Sequence, residues 1–336
     1  MSPGRRRKRR IAIALGTALA LSAAIAWWLN MRGSSHSGPL PDITADQNTL
    51  ATRLRQDVEA LAHTIGQRNL GHRDGLARAA DLIEGRFKEL GLTTRRQEYK
   101  VRGVTCANIE ASLAGTSPNE PILVIGAHYD SVEGTAGAND NASGVAALLA
   151  VARALKDTKP ARGLRLVAFV NEEPPYFQTP EMGSMVYAKA AHEAGERIVG
   201  MISFDGLGYY RDEKGSQNYP FPMNLIYPDT ANFIGFVGNI KSRQFTDRVV
   251  GLFREHAAFP SQGASIPAAV PGAGWSDHWS FWQYGYPALM VTDTLPFRYP
   301  HYHTPQDTAD QINYEKMARV VEGLIKTIDR LAAAPD

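Results

Sequence analysis

Residues 121–155 read PILVIGAHYDSVEGTAGANDNASGVAALLAVARAL, and the two ends of this stretch follow different patterns. The short apolar run 122–125 is bounded by turn residues and is typical of a buried strand. Residues 142–155 are apolar or small at nearly every position and predict a buried helix that follows a polar turn. A buried strand followed by an apolar helix is the repeating unit of α/β folds.

The same alternation continues along the chain on both sides of this stretch. Further apolar runs predict strands at residues 164–170, 198–204 and 288–291. Helical periodicity predicts helices at residues 50–65, 75–90, 182–192 and 314–331. We therefore expect an α/β protein, a three-layer α/β/α sandwich around a mixed, mostly parallel sheet. Residues 206–275, rich in Gly, Pro and aromatic residues, are expected to form a long irregular insertion.

Composition excludes several classes of protein. The chain has 336 residues, of which 44% are hydrophobic and 21% charged, so it can bury a sizeable core. Its single cysteine, Cys106, excludes an intramolecular disulfide and a cysteine-based zinc finger. The net charge is +2, but the first ten residues hold six Arg and Lys and no acid, which leaves 30 basic against 34 acidic residues elsewhere. No basic surface for nucleic acid is therefore expected in the folded part.

The N-terminal region predicts a membrane segment. Residues 11–29 carry no charge, and as a helix they span roughly 28 Å, close to the thickness of the bilayer core. We expect residues 1–10 to be a basic cytoplasmic tail, 11–29 a transmembrane signal anchor, 30–48 a flexible stalk and 49–336 the folded domain. Cleavage near Ala24-Ile25-Ala26 is the alternative, and it would give a secreted protein. A twin-arginine signal at Arg9-Arg10 is a weaker third reading.

Side chains suited to metal binding follow the predicted strands. In α/β sheets the carboxyl ends of parallel strands meet at one edge, where ligands usually bind. Any one of these residues could be a turn or cap residue, but together they supply two imidazoles and three carboxylates. Such a set, without a thiolate, suits Zn, or Mn or Co, in an open catalytic site. The candidate ligands are His128, Asp140, Glu173, Asp205 and His303.

Five segments in order carry a resemblance to a known family. They are H-Y-D-S at 128–131, G-A-N-D-N-A-S-G at 137–144, N-E-E at 171–173, S-F-D-G at 203–206 and Y-H-T-P-Q-D at 302–307. With them the sequence resembles the co-catalytic di-zinc aminopeptidase family. These zinc exopeptidases are related to glutamate carboxypeptidase, glutaminyl cyclase and the non-catalytic transferrin receptor ectodomain. The resemblance covers roughly residues 50–333.

The resemblance implies a role for each candidate ligand. Asp140 would bridge two zinc ions, and a cis peptide bond would follow it. His128 and Asp205 would complete the site of one ion. Glu173 and His303 would complete the site of the other.

The resemblance also implies roles for residues that do not bind the metals. Glu172 would be the general base that takes a proton from a water bridging the two ions. Asp130 would orient the His128 ring. Asp277 and His278, in a Ser-Asp-His segment, would either lie near the substrate pocket or cap the following helix.

The sequence therefore predicts a zinc-dependent aminopeptidase acting on peptides with a free N-terminus. A glutaminyl cyclase-like aminoacyltransferase and an inactive, partner-binding ectodomain are the alternatives. The only N-glycosylation sequon, Asn141-Ala142-Ser143, falls inside the expected site, which favours a bacterial inner-membrane protein with its catalytic domain in the periplasm. The substrate's side-chain preference, the metal's identity and the oligomeric state are left open.

Overall fold

The computed structural model of the protein describes most of the chain beyond the predicted membrane segment. The described residues are 30–116, 121–221 and 223–333, together with Arg5, Ile13 and residues 15–17. Among them, no helix has both the length and the apolar character needed to cross a bilayer. The predicted tail and transmembrane segment, residues 1–10 and 11–29, lie almost entirely outside the described residues and stay predictions.

In the described part of the chain, eight strands form one mixed sheet in the order β1-β2-β4-β3-β5-β8-β6-β7. They are β1 Thr93–Val101, β2 Val104–Leu113, β3 Ile122–His128, β4 Gly163–Phe169, β5 Ile198–Phe204, β6 Ile234–Asn239, β7 Ser261–Ile266 and β8 Ala288–Thr292. The run β4-β3-β5-β8 is parallel, as is the pair β6-β7. The remaining neighbours are antiparallel. The predicted α/β fold with a mixed sheet is confirmed.

Helices pack on both faces of this sheet. They are α1 Ala45–Glu59, α2 Arg73–Glu89, α3 Ser143–Leu155, α4 Gly183–Glu193, α5 Arg243–His256, α6 His278–Gln283 and α7 Tyr314–Ala333. Because successive strand residues point to opposite faces, β3 contributes to two cores. Leu123 and Ile125 lie in the larger core with α3 and α7. Val124 lies in the smaller one, with Tyr187 of α4 and Phe281 of α6.

The parallel run of strands determines where polar residues collect. Strand β3 ends at His128, β4 ends three residues before Glu172, and β5 ends immediately before Asp205. Since β4, β3 and β5 are parallel neighbours, these three chain positions meet at one edge of the sheet.

The expected irregular insertion at residues 206–275 is wrong for residues 234–266, which contain β6, α5 and β7. Glycines interrupt the apolar pattern of both strands at positions where neighbouring elements occupy the space of a side chain. A Cβ at Gly238 of β6 would lie 2.1 Å from Thr246 of α5, and one at Gly263 of β7 would lie 2.7 Å from Met31. The sequence pattern of a buried strand is therefore weak at both places.

Residues 31–35, here called the strap, belong to the segment predicted to be a flexible stalk. Met31 is buried, and Nη1 of Arg254 in α5 donates hydrogen bonds to the carbonyls of three successive strap residues at 3.0–3.2 Å. The backbone N–H of Ser261 in β7 donates to Oγ of Ser35 at 2.8 Å. Helix α1, capped by Thr44, begins four residues before the predicted domain boundary. The segment thus contacts the body in the structure.

Candidate metal centre

The five predicted ligands come together at the carboxyl edge of the sheet. One group of ligand atoms, from His128, Asp140 and Asp205, lies within a mutual distance of 4.8 Å, as does a second group from Asp140, Glu173 and His303. Asp140 belongs to both groups. Its Oδ1 lies 3.2 Å from Nε2 of His128, and its Oδ2 lies 3.2 Å from Nε2 of His303. One carboxylate therefore faces two separate clusters of donor atoms.

These donor atoms fit bound cations better than an empty core. Nε2 of His128 lies 3.5 Å from Asp205 Oδ1, and Nε2 of His303 lies 3.2 Å from Glu173 Oε2. Several of the buried atoms have no hydrogen-bond partner among the described residues: both ring nitrogens of His128, Nε2 of His303, Glu173 Oε1 and Asp205 Oδ1. Buried polar atoms without partners are costly, whereas imidazole and carboxylate are the donors that zinc accepts. The residues therefore fit bound zinc.

The acidic groups of the centre lie close together and shift one another's pKa values. Burial, together with the negative charge of Asp140, raises the pKa of Glu173 to about 8. Burial disfavours a charged His303, but the carboxylates of Asp140 and Glu173 close to its ring prevail and raise its pKa to about 10. Burial raises the pKa of Asp140, but the two histidine rings beside its oxygens outweigh burial and lower that pKa overall. The centre therefore holds excess negative charge and favours positive charge among its carboxylates.

Glu172 and Asp130 lie beside the ligands. Glu172 is only 5% exposed, and burial raises its pKa well above the usual range. Its Oε2 lies 3.9 Å from Nε2 of His128. The two oxygens of Asp130 accept the backbone N–H groups of Glu172 and Glu173, each at 3.1 Å. Asp130 Oδ1 also lies 3.6 Å from Nδ1 of His128, so Asp130 fixes the glutamate loop and faces the histidine ring.

Asp307 positions the turn Ala138–Ala142 that carries Asp140. The Asp307 carboxylate accepts the backbone N–H groups of Asn139 at 2.8 Å and Asp140 at 3.1 Å, and also the Tyr299 hydroxyl at 2.9 Å. The peptide bond after Asp140 is cis, as expected. Asp307 lies in the Y-H-T-P-Q-D segment, but its role was not predicted. Its two contacts with the turn join residues more than 160 positions apart, so no local pattern indicates them.

The structure separates the remaining candidates. Asp277 is fully buried, its oxygens lack hydrogen-bond partners among the described residues, and burial raises its pKa to about 7. Nε2 of His278 lies 2.8 Å from the carbonyl oxygen of Ala273. Burial lowers the pKa of His278 to about 4, so its ring is neutral at pH 7. Neither belongs to the two ligand groups found in the described residues, and nor does His301, whose ring packs edge-on against Tyr299.

An apolar cleft, open to solvent, leads to the centre. Its lining includes Asp140, Glu172, Glu173, Asp205 and His303. Strands β6 and β7 contribute Val237, Gln262, Ala264 and Ile266, so the region expected to be irregular forms a regular wall. Aromatic rings supply much of the remaining surface: Phe177, Tyr219, Tyr227, Phe233, Trp275 and Phe297.

Two known proteins are similar to this chain in sequence. YfbL of Escherichia coli (strain K12), an uncharacterized protein, is 39% identical over 282 residues, which cover 81% of this chain and 86% of YfbL. Leupeptin-inactivating enzyme 1 of Streptomyces exfoliatus is 29% identical over 254 residues, which cover 74% of this chain and 48% of that enzyme. The chain thus spans about half the length of the Streptomyces enzyme.

Solved structures share the fold at low sequence identity. The Legionella pneumophila LapA aminopeptidase matches with a TM-score of 0.67 and 18% identity, over 89% of this chain and 78% of LapA. The Bacillus subtilis zinc aminopeptidase BSAP matches with a TM-score of 0.64 and 15% identity, over 89% of this chain and 97% of BSAP. The Fimbriiglobus ruber glutaminyl cyclase matches with a TM-score of 0.62 and 22% identity, over 89% of this chain and 99% of the cyclase. These likenesses show a common fold.

Family membership follows from the sequence itself. The profile of peptidase family M28 matches residues 108–328, a stretch that runs from β2 into α7 and includes all five candidate ligands. This match shows that the chain belongs to peptidase family M28 and is a metallopeptidase.

Proposed function

We propose that the protein is an aminopeptidase that holds two zinc ions and removes an apolar residue from the free N-terminus of a peptide. One observation carries the proposal: two donor clusters share Asp140, and residues of both clusters line an apolar cleft. His128 and Asp205 would complete one ion's site, and Glu173 and His303 the other's. The names of the aminopeptidases of the same fold support the choice of reaction.

The residues of this chain would divide the work of hydrolysis. A bound zinc pair lowers the pKa of water and polarises a peptide carbonyl. Glu172, buried beside the ligands, would accept a proton from the attacking water and deliver it to the leaving amine. Asp130 would keep Glu172 in place through the bond to its backbone N–H.

The cleft supports a preference for apolar first residues. Among the described residues that line it, none is Lys or Arg, so an acidic substrate side chain would find no cation there except the metals. Burying an apolar side chain against the aromatic walls is favourable, by about 25 cal/mol per Å² of apolar surface. The carboxylates in the cleft lining would attract the substrate's protonated amine.

The site would lie outside the cytoplasm in this proposal. The six basic residues before the uncharged segment 11–29 support an anchor in a bacterial inner membrane, with the catalytic domain in the periplasm. Secretion after signal cleavage is the alternative, and the size of the mature protein in membrane and soluble fractions distinguishes the two.

A panel of aminoacyl-anilides and their N-acetylated equivalents tests the reaction. We expect hydrolysis of the free-amine substrates only, fastest for Leu and Phe, lost on chelation and restored by zinc. Glu172→Gln should lower kcat by about 10²–10⁴-fold while the zinc content stays at two per chain. An unchanged kcat in Glu172→Gln contradicts the base assignment.

The same panel separates the alternatives. Glutaminyl cyclase activity is one alternative, because a glutaminyl cyclase has the same fold. If the protein cyclises an N-terminal glutamine and binds one zinc ion, this activity replaces the proposed one. A chain that binds no zinc and cleaves nothing would favour the inactive ectodomain.

A further inference from the structure

A buried arginine lies behind the metal centre. Arg68 has no exposed surface, and it lies in the loop between the π-helical turn Ala60–Ile65 and α2. Buried arginines usually pair with carboxylates, yet Arg68 forms no ion pair with any described residue. Its side-chain nitrogens donate to backbone carbonyls instead. The acceptors are Tyr129 at 2.8 Å from Nε, Leu61, Gly66 and Ala136 at 3.2, 2.8 and 2.6 Å from Nη1, and Gly137 at 2.9 Å from Nη2.

Three of these carbonyls belong to the loop that joins two candidate ligands. Tyr129 directly follows His128, and Gly137 comes three residues before Asp140. One guanidinium therefore holds the first residue of the loop and its last turn together. The backbones of Arg68 and Ser131 add two more bonds: Ser131 N–H donates to the Arg68 carbonyl at 2.9 Å, and Arg68 N–H donates to Ser131 Oγ at 3.2 Å.

The guanidinium of Arg68 also packs against the backbone at Gly137, just before the turn that carries Asp140. Gly137 has a φ of +58°, and a Cβ there would lie 2.9 Å from Arg68 Nη2 and 2.5 Å from the Asp140 carbonyl. The backbone before Asp140 thus passes between its own turn and the arginine. Little space is left for this turn to shift.

Arg68 keeps its charge in this place. Burial lowers its pKa to about 10, while the negative charges of Asp307, Asp130, Asp140 and Glu173 act in the opposite direction. A guanidinium with that pKa is protonated at neutral pH. It places a fixed positive charge behind the carboxylates without competing for their oxygens, which stay available to a metal.

We propose that Arg68 is a positioning residue of the metal centre, which sets the separation of His128 and Asp140 by fastening both ends of the loop between them. This inference rests on the proposed function, because it concerns the same two metals. It predicts that zinc binding depends on the planar guanidinium and its several donors, in addition to the positive charge. A lysine has the charge but cannot donate to the carbonyls of Tyr129, Ala136 and Gly137 at once.

Zinc binding distinguishes positioning from ordinary structural support. The variants are Arg68→Lys and, as a matched control, Arg162→Lys. Arg162 is also buried and donates to a backbone carbonyl, that of Leu331, but it precedes β4 at the opposite end of the strand from the centre. Zinc affinity is measured by chelator competition, site geometry by the absorption spectrum of the cobalt(II) form, and stability by thermal unfolding of the metal-free chains.

Both variants should lose thermal stability, but only Arg68→Lys should bind zinc at least tenfold more weakly than the wild type and show an altered cobalt spectrum. If Arg68→Lys has the zinc affinity and the cobalt spectrum of the wild type, the inference is overturned.

If Arg68→Lys fails to fold, Ser131→Ala decides. It removes the bond from the Arg68 N–H to Ser131 Oγ and the bond from Ser131 Oγ to the Thr135 carbonyl, both of which fasten the same loop. Zinc binding should weaken by a smaller factor, and unchanged binding overturns the inference. A wild-type chain that binds no zinc refutes the proposed function and this inference together, whereas wild-type binding retained in the variants refutes this inference alone.

Discussion

His301 and His303 are only two positions apart, but only His303 lies among the candidate ligands. His303 Nε2 lies 3.2 Å from carboxylate oxygens of both Asp140 and Glu173, whereas His301 packs against the Tyr299 ring. We therefore expect His303→Ala to bind one zinc fewer per chain and to lose at least 100-fold in kcat. His301→Ala, the matched control, should keep both ions and its rate. Metal analysis and anilide hydrolysis of the two variants provide the check, and equal behaviour would contradict the assignment.

His278 predicts a pH dependence of stability. The folded chain holds this imidazole with a pKa lowered by burial to about 4, while an unfolded histidine titrates near 6.5. Between these values the unfolded state binds more protons, so the free energy of unfolding falls as the pH drops, by roughly 3 kcal/mol from this residue at pH 4. His278→Gln, unfolded in denaturant without metal, should lose about that much less on acidification than the wild type. The exposed His72→Gln should follow the wild type, and an acid loss in His278→Gln equal to the wild type's would refute the prediction.

The sequence indicated the candidate ligands, but it did not indicate the residues that hold them in place. His128, Glu173 and Asp205 follow apolar runs, so strand ends indicate them directly. Arg68 and Asp307 act across 61 to 168 positions, through bonds to backbone groups that any residue type could offer. A contact to backbone leaves no complementary residue type in the sequence.

At the level of elements, the four strands of the parallel run, β4, β3, β5 and β8, were predictable, whereas the outer strands β1, β2, β6 and β7 were not. Strand β4 is a run of buried apolar residues between parallel neighbours. Strand β1, at one edge, alternates exposed and half-buried polar residues, and β7, at the other, consists mostly of small ones. Such strands gain stability from neighbouring backbone and from covering segments, and so their own side chains show little hydrophobic pattern.

The segment 219–227 supports a prediction about longer substrates. Tyr219 and Tyr227 line the cleft, while Phe221 and Leu225 between them are 81% and 73% exposed. Exposed apolar side chains grouped at a cleft are typical of binding surfaces. The double variant Phe221→Ser, Leu225→Ser should lower kcat/KM about tenfold for an apolar tripeptide, which corresponds to about 1.4 kcal/mol of lost contact, and leave Leu-anilide unaffected.

Ile240→Ser is the matched control, since Ile240 is 47% exposed and does not line the cleft. It should leave both substrates unchanged. A double variant that loses the same factor on Leu-anilide and on the tripeptide would place the effect at the centre and contradict a separate contact surface.

At the scale of the whole molecule, the strap brings the body close to the predicted anchor. The uncharged segment ends at residue 29, and Met31 already lies in the main core. A protein anchored through residues 11–29 would therefore hold its catalytic domain next to the bilayer instead of at the end of a long tether. Because β7 contacts the strap through Ser261 and Gly263 and lines the cleft through Gln262 and Ala264, the strap also supports one wall of the proposed substrate site.

Removing the strap tests whether it belongs to the fold. A chain beginning at Ser37 loses the burial of Met31 and the three hydrogen bonds from Arg254, which together should cost about 3 kcal/mol relative to a chain beginning at Asn30. For a domain of this size we expect Tm to fall by on the order of 5–10 °C. Arg254→Ala in the longer chain should reproduce part of the loss, since it breaks the bonds and leaves Met31 present. If both chains melt at the same temperature, the strap contributes nothing to the fold and acts as a tether alone.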